Sequence, residues 1–229
     1  MKSQNRKDVP KMGIPYQLGL NLSGDGGQSN LEEGGPLNPE NEPLEQRCRA
    51  CQSCPLLVKE RTQVVLGSGN TQSRLLLFGE APGADEDRSG KPFVGKSGKL
   101  FRNLLSQAGF ASEDDYFITN IVKCHPPGNR NPYTEEIDAC RHWLDEEIQE
   151  VSPLVIVAVG ATAFNAILGP GKSITRHRGH WFLYRNYPVM PTFHPAYLIR
   201  QGRAKGKRLS ADVIADLCKV RERILGYSA

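Results

Sequence analysis

The segment from Gly79 to Gly95, GEAPGADEDRSGKPFVG, gathers Glu80, Asp85, Glu86 and Asp87 in one stretch with Phe93. Carboxylates this close in sequence support two chemistries. They can bind magnesium for phosphoryl transfer, or they can position a water and cap the next element. Phe93, between Pro92 and Val94, adds a flat apolar face of the kind that stacks on a planar ring such as a nucleobase; ordinary core packing is the commoner fate of a phenylalanine. Asn120 in YFITNIVKC and His194 in TFHPAYLIR are the other candidates. A carboxamide offers a paired donor and acceptor that suit a base edge or loop backbone alike. An imidazole can hold or release a proton near neutrality. Cys51 and Cys54 form C-x-x-C, extended upstream by Cys48, and Cys124 and Cys140 follow at a distance. Two thiolates at that spacing face one ion or cluster, and two more from a distant segment complete a four-cysteine site for zinc or for iron and sulfur. Cys48 is then a free surface thiol or a competitor for the same site, and Cys218 reads as a buried apolar residue on the last helix.

These residues fall where a sheet would present them. Four apolar runs read as buried strands: Leu75–Phe78, Tyr116–Val122, Leu154–Val159 and Pro188–Phe193. Between them lie helical patterns after Ser97, from Thr134, over Ala161–Leu168 and over Ser210–Leu225. Short continuous apolar strands alternating with helices predict an α/β fold, a mostly parallel sheet covered on both faces. Trp181–Tyr184 is a further candidate strand, paired through Arg185–Tyr187. Asn120, the Gly79–Gly95 loop and His194, which precedes a helix begun by Pro195, then share the carboxyl edge, where α/β sheets bind ligands.

Residues 1–45 read as a disordered tail, with seven glycines, five prolines and one aromatic. The tail takes four of the 29 bases and seven of the 25 acids, so residues 46–229, read as a single domain, carry a net charge of +7. Val151–Ala211 contains no Asp or Glu but holds nine Lys or Arg, ending in RQGRAKGKR. That asymmetry points to a polyanion, and to nucleic acid before a membrane, because no amphipathic basic helix accompanies it. No apolar window long enough to span a bilayer and no signal-like N-terminus is present, so a cytoplasmic location is expected.

The motifs together resemble the family 4 uracil-DNA glycosylases, the iron–sulfur type. The matching blocks are C-x-x-C-x-L-x-x-x-R-T from Cys51, GEAPGADEDRSGKPFVGKSG from Gly79, ITNIVKCHPPGNRNP from Ile118, Cys140, SITRHRGHW from Ser173 and FHPAYLIR from Phe193. They run in order through nearly all of the chain after Cys48. The resemblance implies a three-layer α/β/α fold with a four-stranded, mostly parallel central sheet and a cluster-bearing lobe. It implies a monomeric, monofunctional enzyme that hydrolyses the N-glycosidic bond of uracil in single- or double-stranded DNA. Cys51, Cys54, Cys124 and Cys140 would hold a [4Fe-4S] cluster. Phe93 would stack on uracil, Asn120 would bond its pyrimidine edge, and Gly79 and Ala81 would line the same pocket. Glu86 would exclude a thymine methyl, His194 would donate to the uracil oxygen that gains charge, and Glu80 would orient water. Tyr197, Leu198 and Arg200 would brace the minor groove. Two other readings remain on the residues alone: a non-catalytic iron–sulfur DNA-binding module and a metal-dependent phosphohydrolase.

Overall fold

The computed structural model describes residues 42–227. The tail expected over residues 1–45 lies outside them except for its last four, and of these Leu44 and Glu45 already belong to a helix, α1 (Leu44–Arg49). The remaining helices are α2 (Pro55–Glu60), α3 (Ala84–Ser89), α4 (Lys96–Gln107), α5 (Thr134–Val151), α6 (Ala161–Leu168), α7 (Ile174–His177), α8 (Pro195–Arg200) and α9 (Arg203–Gly226). The strands are β1 (Ser68–Gly69), β2 (Leu75–Gly79), β3 (Phe117–Asn120), β4 (Val155–Val159), β5 (Phe182–Tyr184) and β6 (Tyr187–Thr192), in the order β1-β3-β2-β4-β6-β5.

The four expected strands are the parallel centre of this sheet, β3-β2-β4-β6. The sheet has six strands rather than four, because an antiparallel strand closes each edge. β5 is the Trp181–Tyr184 candidate, turned back onto β6 through Arg185 (φ 46°) and Asn186 (φ 73°), the left-handed pair that a tight hairpin requires. β1 has two residues and no apolar pattern, so nothing in the sequence marks it.

Every residue of β2 and β4 is buried, and their side chains alternate between two cores. Leu76, Phe78, Ile156 and Ala158 meet Trp143, Leu144 and Ile148 of α5 and Phe164 and Ile167 of α6. Leu75, Leu77, Val155 and Val157 meet Phe101, Leu104 and Leu105 of α4, Leu198 of α8 and Val213, Leu217 and Val220 of α9. Period-two strands buried on both faces thus give the three-layer architecture. Helix α9 starts seven residues before the expected Ser210, because its opening RAKGKR is basic and largely exposed and carries no apolar stripe to signal a helix.

One polar network is sealed inside the first core. The Lys123 ammonium (1% exposed) pairs with Glu147 (2% exposed) and donates to Thr119 Oγ1 and to the Asn120 carbonyl, both at 2.7 Å. Glu147 also accepts from Thr119 Oγ1 at 3.0 Å. The network ties β3 to α5 directly behind Asn120. Removing one partner strands the other charge, whereas removing both leaves an apolar gap that can repack. Glu147→Leu is expected to lower unfolding stability by about 3–5 kcal/mol and Lys123→Met/Glu147→Leu by much less, measured by urea denaturation. Equal losses in the two variants would show that the pair does not act as a unit.

Candidate active site

Register decides which residues meet at the carboxyl edge. Gly79 pairs with Asn120, Phe78 with Ala158 and Val159 with Thr192. The four parallel strands therefore stop at one level, and Glu80, Asn120, Thr162 and His194 line a single cleft of about 580 Å³. The chain runs outward from β2 to β3 and then, in the other direction, from β4 to β6. The cleft sits over the β2–β4 boundary, the switch point where an open α/β sheet binds its ligand. Glu80 and Thr162 line the cleft from the two sides of that boundary.

Gly79 allows the floor of the cleft to close. A Cβ at this position would lie 2.7 Å from both Asn120 Oδ1 and Phe93 Cζ, so the two side chains can approach only because none is present. Asn120 is 3% exposed, and its carboxamide has no hydrogen-bond partner among the described residues. The carboxamide faces the cleft, where its donor and acceptor are free to pair with a ligand. Phe93 forms the adjoining wall, 5.6 Å from the Phe101 ring and 6.3 Å from the His194 ring between centroids. Its backbone is left-handed (φ 56°), a conformation that costs about 1–3 kcal/mol for a residue other than glycine. Arg102 holds it there, donating to the Phe93 carbonyl at 3.2 Å and to the Pro92 carbonyl at 3.3 Å.

His194 caps α8, its Nδ1 accepting from the Ala196 N–H at 3.2 Å. An accepting Nδ1 places the proton of the neutral ring on Nε2. Burial, reinforced by the positive charge of Arg200, lowers the His194 pKa to about 4. The ring backs onto Gly160 (φ +100°), where a Cβ would stand 2.9 Å from His194 Cβ. The cleft thus contains a fixed, uncharged N–H donor.

The acidic loop does something other than its composition suggests. Residues 84–89 are a helix, α3, not an open loop. Glu86 lines the cleft, but both its oxygens are engaged: Oε2 accepts from the Gly83 N–H at 3.1 Å, and Oε1 from the Val94 and Gly95 N–H groups at 2.9 and 2.7 Å. It clamps the two ends of the loop together while still lining the cleft. Asp87 accepts from the Thr62 N–H at 3.0 Å, and Asp85 turns outward to Arg88. The four acids do not converge, so the magnesium reading fails. Glu80 is left as the cleft carboxylate without backbone donors on it, and burial raises its pKa against the opposing pull of Thr162 and Arg200.

Of the three residues expected to brace DNA, Tyr197 and Arg200 line the cleft mouth. Leu198 does not: it is 2% exposed and packs in the second core, because residues 195–200 form a helix and only one face of it reaches the surface. The basic stretch divides in the same way. Arg178 is held by Asp216 and Asp212, and Arg185 by Asp145. Arg200, Arg203, Lys205, Lys207 and Arg208 make no ion pair among the described residues. Sequence reasoning gave no role to Arg130 or Thr162, which also line the cleft. Arg130 is fixed by two hydrogen bonds to Glu136, at 2.8 and 2.6 Å. The blocks ITNIVKCHPPGNRNP and VGAT, each following a strand, were the available signals.

Cys51, Cys54, Cys124 and Cys140 line one small cavity together with Cys48. Cys48 is fully buried, which excludes the surface-thiol reading; Cys218 is half-buried, on the edge of the second core. Among the described residues no three Cys, His, Asp or Glu side chains converge tightly enough to bind one metal ion. Burial raises the Cys54 and Cys140 thiols to about 11 and 12. Burial also pushes Cys51 upward, but the neighbouring Ser53 and Trp143 outweigh it and leave that thiol below its ordinary value. Arg61 donates to Cys124 Sγ at 3.1 Å and the Lys123 N–H to Cys140 Sγ at 3.4 Å. Trp143 Nε1–H, in the same wall, is buried without a hydrogen-bond partner.

Sheet order, switch-point cleft and a wall made of an aromatic ring, a free carboxamide and a neutral imidazole define an α/β protein built to hold a planar, hydrogen-bonding ring. The chain belongs to the uracil DNA glycosylase superfamily, whose family model it matches over residues 66–218. It is 43% identical to the Type-4 uracil-DNA glycosylase of Thermotoga maritima over 187 residues, covering 80% of this chain and 94% of that protein. It is 40% identical to the Type-4 uracil-DNA glycosylase of Saccharolobus solfataricus over 156 residues, 65% of this chain and 72% of the relative. With the Type-5 uracil-DNA glycosylase of Thermus thermophilus it shares 32% identity over 222 residues, 82% of this chain and 99% of the relative.

The two cleft groups titrate in opposite senses. Lowered to about 4, His194 is neutral around and above neutral pH, so its N–H donor is unchanged there. Glu80, raised above the ordinary 4.5, is the first of the two to gain a proton as pH falls. The acid limb of kcat is expected to be a single carboxylate titration centred above 4.5. An inflection at the ordinary imidazole value of 6.5, lost in His194→Gln, would contradict the assignment of His194 as neutral.

Proposed function

We propose that this chain excises uracil from DNA by hydrolysing its N-glycosidic bond, leaving an abasic site for base excision repair. The observation that carries the reading is the unpartnered Asn120 carboxamide facing a cleft between the Phe93 ring and the His194 donor. A base in a duplex is inaccessible, so the nucleotide must rotate out of the stack, most cheaply where pairing is already weak. In this reading the flipped ring stacks on Phe93, and Asn120 pairs with its edge. Ala81 and the backbone at Gly79 close the pocket.

Bond cleavage leaves the electron pair on uracil and a cationic sugar. His194 Nε2–H donates to the uracil oxygen on which the negative charge collects. The donor is preorganised by its cap on α8, and one such hydrogen bond accounts for about 10²–10³ in kcat. The Glu80 carboxylate, near neutral pH, stabilises the cationic sugar and orients the water that adds to C1′, accepting its proton. Arg200 and Tyr197 sit at the mouth, where the extruded strand enters, and the exposed basic start of α9 offers charge to backbone phosphates.

The cysteine cavity supports an iron–sulfur cluster rather than zinc. The four expected ligands line it together, and the N–H donors of Arg61, Lys123 and Trp143 beside them are of the kind that surround cluster sulfurs. Cys51, Cys54, Cys124 and Cys140 would ligate a [4Fe-4S] cluster whose contribution is structural, joining α2, α5 and the segment after β3. The protein would act as a monomer in the cytoplasm, on single- or double-stranded DNA.

Incubation with a uracil-containing oligonucleotide in EDTA, followed by alkali, is expected to give strand breaks at uracil alone. His194→Ala should lower kcat about 10²–10³-fold with little change in DNA binding. No alkali-labile product would refute the reading, and breakage that requires magnesium would assign a phosphohydrolase instead.

A further inference from the structure

Four cysteines are enough for a cluster, yet five line the cavity. The surplus thiol is Cys48, at the end of α1. It is 0% exposed and has no side-chain hydrogen bond among the described residues. Its position is more specific than that of an ordinary buried thiol. The Cys51 N–H donates to the Cys48 carbonyl at 3.1 Å, so one tight turn carries both residues into the same wall. That wall also contains the buried, unpartnered Trp143 Nε1–H. An orphaned buried donor calls for a missing acceptor, and its presence beside the thiols points to a ligand filling the space that Cys48 also faces. Cys51 and Cys54 are both half-buried, whereas Cys124 and Cys140 are buried, and of the two open ligands Cys51 is the one a single turn from Cys48.

We propose that Cys48 is a reserve cluster ligand that takes the iron position of Cys51 when that bond opens. The exchange is a substitution without redox change. The iron–sulfur bond to Cys51 breaks, one to Cys48 forms, and the Cys48 thiol proton passes to the departing Cys51 thiolate. The inference rests on the cluster proposed above.

The test compares wild type, Cys48→Ser, Cys51→Ser and Cys48→Ser/Cys51→Ser, purified without oxygen, by iron content per chain and the visible cluster absorbance. Wild type, Cys48→Ser and Cys51→Ser are expected to retain iron, and the double variant to lose it. Iron in wild type but equally little in Cys51→Ser and the double variant would overturn the reserve role and leave the cluster standing. An iron-free wild type would instead overturn the cluster, and the reserve role with it. If Cys51→Ser does not accumulate, the loss of absorbance under an iron chelator decides between wild type and Cys48→Ser. A several-fold faster loss in Cys48→Ser is expected, because an opened site is no longer recaptured, and equal rates would overturn the proposal.

Discussion

Four parallel strands that end at one level constrain everything the cleft contains. The pairing of Gly79 with Asn120 and of Val159 with Thr192 brings groups separated by more than a hundred residues to within reach of one small ring. A slip of one residue in any strand would turn its terminal side chain into the wrong layer. Two positions without side chains then allow the final approach. Gly79 lets Asn120 and Phe93 close on each other, and Gly160, at positive φ, makes room for His194. The buried Lys123–Glu147 pair fixes the Asn120 carbonyl from behind, so the end of β3 is held on both sides.

Charge is distributed in the cleft so that few groups remain free to react. Glu86 and Asp87 are consumed by backbone N–H groups, and Arg130 by Glu136. Glu80 stays available as a carboxylate, and His194 stays neutral because burial and Arg200 both oppose its protonation. In the proposed reaction a leaving anion would meet a donor that carries no charge of its own, while the cationic sugar would meet a carboxylate. The left-handed backbone at Phe93, held by Arg102, belongs to the same design, because local strain of this kind persists only where surrounding contacts enforce it.

Much of this was legible from residue patterns. The four central strands and the helices after Ser97, from Thr134 and over Ala161–Leu168 follow from apolar periodicity, and the placement of Asn120 and His194 at the carboxyl edge follows from those strands. What escaped was set by contacts between segments. Two-residue β1 has no pattern to read, and the start of α9 lacks an apolar stripe. Glu86 looked like a ligand because composition cannot reveal that three backbone N–H groups converge on it. Leu198 looked available to DNA because FHPAYLIR does not state which face of its helix is buried. Cys48 could be a surface thiol in sequence, and only the packing of α1 against α5 puts it into the cysteine cavity.

A crystal structure of the protein with free uracil bound tests the central claim most directly. The ring should lie parallel to Phe93, with the Asn120 carboxamide on its pyrimidine edge and His194 Nε2 within hydrogen-bond distance of a ring carbonyl oxygen. Uracil bound away from Phe93, or with His194 Nδ1 rather than Nε2 turned toward it, would contradict the account.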